Sequence, residues 1–155
     1  MSFDIDFLDC IKDTKKLYTD NRGYCGNVYS ENLFYSFSKK NVFRGFHGQI
    51  GQNKSITVLR GEILDMIMNP ENGNIYFMIL TDKDQKTLSV PLGWCHGFLA
   101  LKKSLVLYKL SDKFDESKEF GFSHLGLTPL PDNVILSERD KKLPRWRPNP
   151  DAVYT

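Results

Sequence analysis

Residues 44–49 read RGFHGQ, a histidine between an arginine and a glutamine with glycines close on both sides. An imidazole titrates near neutral pH, which suits a group that must accept and release a proton. The same ring could ligate a metal ion or sit hydrogen-bonded in a core. Gly45 and Gly48 leave room for another molecule to approach the backbone. A second histidine, His96, ends the turn-like stretch PLGWCH at 91–96. Metal ligation, proton transfer and plain packing are all open to this pair.

Pro91, Gly93 and His96 keep a P-x-G-x-x-H spacing that resembles the second motif of the cupin barrel, in which a tight turn precedes a histidine aimed inwards. Metal-binding cupins add H-x-H and a glutamate from a first motif, giving the mixed N and O donors a divalent ion requires. The matching stretch in this chain is HGQIGQNK. Gln49 stands in place of the second histidine, and Lys54 lies near the expected carboxylate, where its cation would repel a metal. The expectation is a site with no metal and no other cofactor, lined by His47, His96 and Lys54.

The elements that must hold these groups are short and β-like: SITVLRGEILDMIM from 55, NIYFMIL from 74, TLSVPL from 87, GFLAL from 97 and LVLYKL from 105. Clusters such as NPENGN separate them, as turns separate antiparallel strands. That rhythm predicts a sandwich or barrel. Helical character is confined to SERDKKL, a short segment stopped by Pro144. The proline-rich tail PRWRPNPDAVYT is expected to run extended over the surface. No internal repeat is present. The pattern predicts an all-β fold with a short C-terminal helical segment, and the resemblance to the cupin motif implies a jelly-roll antiparallel barrel of cupin type.

At 155 residues the chain is long enough for one core, and residues 1–155 are read as a single domain. Its 21 basic and 19 acidic residues are mixed along the chain, without the basic stripe of a nucleic-acid binder. Cys10, Cys25 and Cys95 lack metal or redox spacing and are read as free thiols in a reducing compartment. The start, MSFDIDFLDCIKD, has no basic region ahead of an apolar stretch and does not read as a signal peptide. No apolar run approaches the ~20 residues of a membrane span. The expected setting is the cytoplasm, with neither nucleic acid nor membrane as a partner.

Six stretches together resemble the dTDP-4-dehydrorhamnose 3,5-epimerases and their relatives that act on nucleotide-linked 4-keto sugars. They are DNRG at 20–23, VFRGFHGQ at 42–49, KSITVLRGEILDM at 54–66, VPLGWCHGFLAL at 90–101, VLYK at 106–109 and ILSERD at 135–140. The resemblance implies that His47 removes a proton beside the 4-keto group, with Asp140 behind it, and that Tyr108 returns a proton from the opposite face. It also implies that Lys54 and His96 stabilise the enolate oxygen. Arg22 and Arg44 fall to holding the diphosphate or nucleotide, Gln49 and Asn27 to substrate binding, and a homodimer is implied in which Arg22 reaches the neighbouring subunit's site. The chemistry calls for such a set, since a carbon-bound hydrogen leaves only if the adjoining carbonyl can take up negative charge.

Each residue also has a plainer reading. Asp140 completes a Ser137-x-x-Asp140 capping spacing that would simply start a helix. Tyr108 alternates with Val106 and Leu110, as a core tyrosine would. Lys54 beside Asn53 and Ser55 reads as exposed, and His96 as structural. Arg44 and His47 have opposite parity, so a regular strand would point them to opposite faces unless it bulges near Gly45. Asp65, inside the apolar ILDMIM, requires a partner, and His96 is the expected one.

The chain departs from the family around the nucleotide. YCGNVYS carries Asn27 near a usual acidic position, KF replaces Y-Y at 113–114, and FSH replaces W-[DN]-D at 122–124. The expected activity is therefore epimerisation at carbon 3, carbon 5 or both of a nucleotide-linked 4-keto sugar, dTDP- or GDP-linked, in the synthesis of capsule or lipopolysaccharide. A 3,4-ketoisomerase and a non-catalytic sugar-nucleotide binder are the alternatives.

Overall fold

A computed structural model describes residues 17–155 apart from Tyr29. The readings made on the acidic N-terminus and on Cys10 lie outside the described residues. Among the described residues eleven strands, one 3₁₀ turn (Glu116–Lys118, before β11) and one short α-helix follow in order: β1 (Leu17–Asp20), β2 (Gly23–Asn27), β3 (Leu33–Ser38), β4 (Phe43–Gln49), β5 (Lys54–Arg60), β6 (Glu62–Met68), β7 (Ile75–Thr81), β8 (Thr87–Val90), β9 (Cys95–Ala100), β10 (Ser104–Leu110), β11 (Glu119–Gly121) and α1 (Glu138–Lys141). They form a six-stranded sheet, β1-β2-β3-β10-β5-β8, and a five-stranded sheet, β11-β4-β9-β6-β7. Every strand pair is antiparallel. This is the all-β architecture that the strand rhythm predicts, in the jelly-roll form that the resemblance implies.

The apolar run 55–68 reads as one long strand, but the chain breaks it at Gly61 and sends β5 and β6 to different sheets. Gly61 has φ +94°, and a Cβ there would lie 2.3 Å from the Lys103 carbonyl oxygen. Only glycine fits such a corner.

Val42, Ile56, Val58, Ile63, Leu80, Val90, Phe98, Ala100 and Val106 fill the space between the sheets. A second cluster, including Phe43, Phe46, Met66, Met68, Cys95 and Leu99, lies on the other face of the five-stranded sheet, where Phe120, Phe122, Leu136 and Trp146 cover it. β9 is therefore buried along its whole length. Each such large apolar side chain contributes about 1.5–3 kcal/mol when removed from water, and together they dock the last third of the chain against β4.

That docking is reinforced by polar contacts. Val42 bridges Ile135, and Ser123 bridges Arg145. Trp146 Nε1 donates to the Pro70 carbonyl at 2.8 Å, and the Tyr154 ring lies 4.7 Å from that of Phe120. Among the described residues Cys25 and Cys95 are free thiols. No helix among the described residues is long and apolar enough to cross a membrane.

Candidate active site

The site starts from an irregularity in β4. Arg44 pairs with Phe98 and His47 with His96, so three steps along β4 match two along β9 and the register shifts between them. Gly45 sits in this bulge with φ +130°, and a Cβ there would come 2.5 Å from Gly97 Cα. The extra residue reverses the alternation, and Arg44 and His47 face the same side. The parity difficulty posed by the sequence is resolved at the glycine that permits it.

His47 Nε2 lies 2.8 Å from Asp140 Oδ1. The Asp140 carboxylate also receives Arg22 Nη1 at 3.3 Å and the Gly45 amide at 3.5 Å, both on Oδ2. Burial opposes ionisation of Asp140, yet the His47 bond and the charges of His47 and Arg22 outweigh it and hold the carboxyl below its usual range. The capping reading holds at the same time, by a different atom. Ser137 Oγ accepts from the Asp140 backbone amide at 3.0 Å, which leaves the carboxylate for His47.

On the same inner face, His96 Nε2 meets Asp65 Oδ2 at 2.7 Å, the partnership expected for that buried acid. Burial pushes His96 below the usual imidazole range, against the pull of Asp65. Facing them from the six-stranded sheet is Tyr108, whose ring centre is 6.3 Å from that of His96. Its hydroxyl is 2.6 Å from Ser36 Oγ. Burial raises the phenol's pKa although Arg44 and Ser36 act in the opposite sense, so Tyr108 is a protonated acid near neutral pH.

Lys54 is not the exposed lysine its neighbours suggest. Burial lowers its pKa, partly countered by Cys95, Glu119 and Asp65. Its β5 position pairs with Leu110 and Val90, on the same face as Ile56 and Tyr108. Arg44 donates from Nε to Ser38 Oγ at 2.8 Å and from Nη2 to the Phe37 carbonyl at 3.2 Å. Asn27 pairs with Phe34, which in turn pairs with Tyr108, so it lies on the inner face as well.

Two residues read as substrate contacts have partners within the chain. Gln49 spans the Asp115 backbone, donating to its carbonyl at 3.1 Å and accepting from its amide at 3.2 Å, and so pins the loop after β10. Arg22, expected to reach across to a neighbouring subunit, commits Nε and Nη2 to Asp20 and Nη1 to Asp140 of its own chain.

Glu119 is a member of the site that sequence reasoning missed. Its Oε1 lies 3.4 Å from His47 Nδ1, and Arg139 pairs with its other oxygen. Gly121, opposite His47 on β11, makes room for the ring, since a Cβ there would fall 3.2 Å from Nδ1. Nothing in ESKEFGF marked this strand as part of a site. No group of three or more His, Cys, Asp or Glu side chains arranged to hold a metal occurs among the described residues.

Comparison with known proteins gives the same direction. Residues 5–148 match the family described as dTDP-4-dehydrorhamnose 3,5-epimerase. The protein of that name from Methanothermobacter thermautotrophicus is 31% identical, the match covering 87% of this chain and 88% of the relative. The Pseudomonas aeruginosa protein is 26% identical over 86% and 89%. Among solved structures, the Sulfolobus tokodaii dTDP-4-dehydrorhamnose 3,5-epimerase superposes with TM-score 0.68 at 27% identity, covering 86% of this chain and 88% of that one. A Legionella pneumophila epimerase in complex with dTDP-4-keto-L-rhamnose gives TM-score 0.66 at 26% identity, over 86% and 92%.

Proposed function

This chain belongs to the dTDP-4-dehydrorhamnose 3,5-epimerase family and is an isomerase-class enzyme, and on that premise we propose that it inverts carbon 3, carbon 5 or both of a nucleotide-linked 4-keto sugar by proton transfer through an enolate. The observation that carries the reading is the 2.8 Å contact of His47 Nε2 with Asp140, on a face shared with His96 and opposed by Tyr108.

His47, held by Asp140, takes the proton from the carbon beside the ketone. Asp140 then balances the imidazolium. The electron pair moves onto the keto oxygen, where Lys54 and the His96 imidazole, backed by Asp65, stabilise it. Tyr108 delivers its proton to the opposite face of the same carbon, which inverts it, and the adjacent Arg44 offsets the phenolate that remains. Proton exchange with solvent resets both groups, so the net change is isomerisation alone.

The names of the relatives support a dTDP-linked 4-keto-6-deoxy sugar. Asn27, near a usual acidic position on the inner face, keeps a GDP-linked 4-keto heptose as the second candidate. Arg44 and Asn27 are the proposed ligand contacts, with Gln49 contributing through the loop it holds.

A homodimer belongs to the same reading. What supports it is the outer face of the six-stranded sheet, where Tyr24, Phe37 and Leu105 pair in one row and Tyr35 and Leu107 in the next. An antiparallel sheet with one solvated face normally alternates apolar and polar residues. The outer faces of β3 and β10 instead carry Leu33, Tyr35, Phe37, Leu105 and Leu107, with Lys109 as the one charged residue among them.

The test is incubation with dTDP- and GDP-linked 4-keto sugars in deuterium oxide, followed by NMR. Label entering carbon 3 or carbon 5 with inversion is the expected result. Migration of the carbonyl would assign a ketoisomerase, and tight binding without label uptake would overturn catalysis altogether.

A further inference from the structure

Asp20 bonds to Arg22 and, through it, to the base. Its Oδ1 accepts from the Arg22 amide at 2.9 Å and from Nε at 3.2 Å, while Oδ2 accepts from Nε at 3.1 Å and Nη2 at 2.8 Å. Only Nη1 is left for Asp140, whose other oxygen holds His47. The turn itself is clasped to the segment that carries Asp140, because Asn21 Nδ2 donates to the Leu136 carbonyl at 3.0 Å. Gly23, φ +139°, presses the turn onto β3, where a Cβ would lie 2.1 Å from the Phe37 carbonyl oxygen.

We propose that Asp20 is a positioning residue for the proton transfer: by holding two nitrogens of Arg22 it limits that cation to one 3.3 Å contact with Asp140 and leaves the carboxylate to His47 at 2.8 Å. An unrestrained guanidinium would turn its planar fork onto Asp140, since two parallel N–H bonds to a carboxylate are its preferred geometry, and would draw charge away from the imidazole. The inference rests on the reading of His47 as the base. The other charged groups around His47 are Glu119 with Arg139 on the Nδ1 side, His96 with Asp65 on β9, and Arg44 and Lys54. These remain the same in every variant compared.

The test uses Asp20→Asn, Arg22→Gln, the double variant and Asp20→Glu. Two readouts are followed: the NMR titration of the His47 ring in the ligand-free protein, assigned by its loss in His47→Asn, and the pH profile of deuterium uptake. The titration of Asp20→Asn moves to lower pH, and kcat falls about tenfold with KM nearly unchanged, a fraction of the roughly 10²- to 10⁴-fold that a general base contributes in all. Arg22→Gln moves the titration to higher pH, the double variant matches Arg22→Gln, and Asp20→Glu restores most of kcat. An Asp20→Asn titration equal to wild type would overturn the proposal, as would both single variants moving in one direction or an equal effect of Asp20→Asn with and without Arg22. The titration needs no substrate, so a wild-type protein that takes up no label defeats the epimerase reading and is distinguishable from these outcomes.

Discussion

Asp65 and His96 meet at 2.7 Å inside the barrel, one from β6 and the other from the neighbouring β9. An acid on an apolar strand is thereby joined to the ring that faces Tyr108. Asp65→Asn keeps the shape and removes the charge. A charge-assisted hydrogen bond is worth about 1.5–3 kcal/mol, so kcat is expected to fall roughly 10- to 100-fold with KM little changed. Turnover and pH dependence equal to wild type would remove Asp65 from the mechanism.

In the proposed mechanism His47 and Tyr108 act on opposite faces of the sugar, and their variants separate accordingly. His47→Asn is expected to cut deuterium uptake by about 10²- to 10⁴-fold. Tyr108→Phe keeps exchange on the face of the base while inversion slows. Wild-type inversion by Tyr108→Phe would place the acid elsewhere.

Burial depresses the His96 pKa in the folded chain, and this fixes a direction for stability. The unfolded ring binds its proton near pH 6.5, so the full contribution is present above that pH and is lost as pH falls through the lower folded value. Asp140, also depressed, adds a second loss below about pH 3.9. Urea midpoints measured from pH 8 to pH 5 should decline, and His96→Gln should flatten the slope. A flat wild-type curve would contradict the burial of a neutral ring.

Gly45→Ala sets a side chain against Gly97 at φ +130°. The expected cost is about 3 kcal/mol or more, as for other steric failures at special backbone sites, with loss of label uptake because the bulge carries His47 to its face. A drop in thermal midpoint together with the activity is the measurement, and an unperturbed variant would show that the bulge tolerates a Cβ.

Tyr35→Lys and Leu107→Glu place charges on the outer face of the six-stranded sheet without touching the hollow. Sedimentation is expected to shift from dimer to monomer. A wild-type chain that sediments as a monomer at micromolar concentration would refute the assembly.

Much of the site was legible because its members lie in local patterns. His47 among glycines, the P-x-G-x-x-H turn and Asp65 inside an apolar strand each break a periodicity, and a broken periodicity is visible in one dimension. The strands from 54 to 110 were readable for the same reason, apart from the corner at Gly61, where one apolar run hides a change of sheet. β1 to β3 were not singled out, since LYTD and GYCGN lack a clean alternation. Glu119 was missed, and the ion pairs of Arg22 were not foreseen, because burial and ion pairing depend on which distant segments meet. Gln49 looked like a ligand contact, and only the fold reveals the loop it holds.

His47 and Asp140 are 93 positions apart, and Asp140 arrives only when the C-terminal third docks on the outer face of the five-stranded sheet. Long-range contacts of this kind form late. A ribosome-bound or truncated chain ending before Ser137 has every strand of both sheets in its sequence and still lacks the Asp140 carboxylate that His47 pairs with. Recovered turnover is thus a stricter gauge of complete refolding than any spectroscopic measure of β-content.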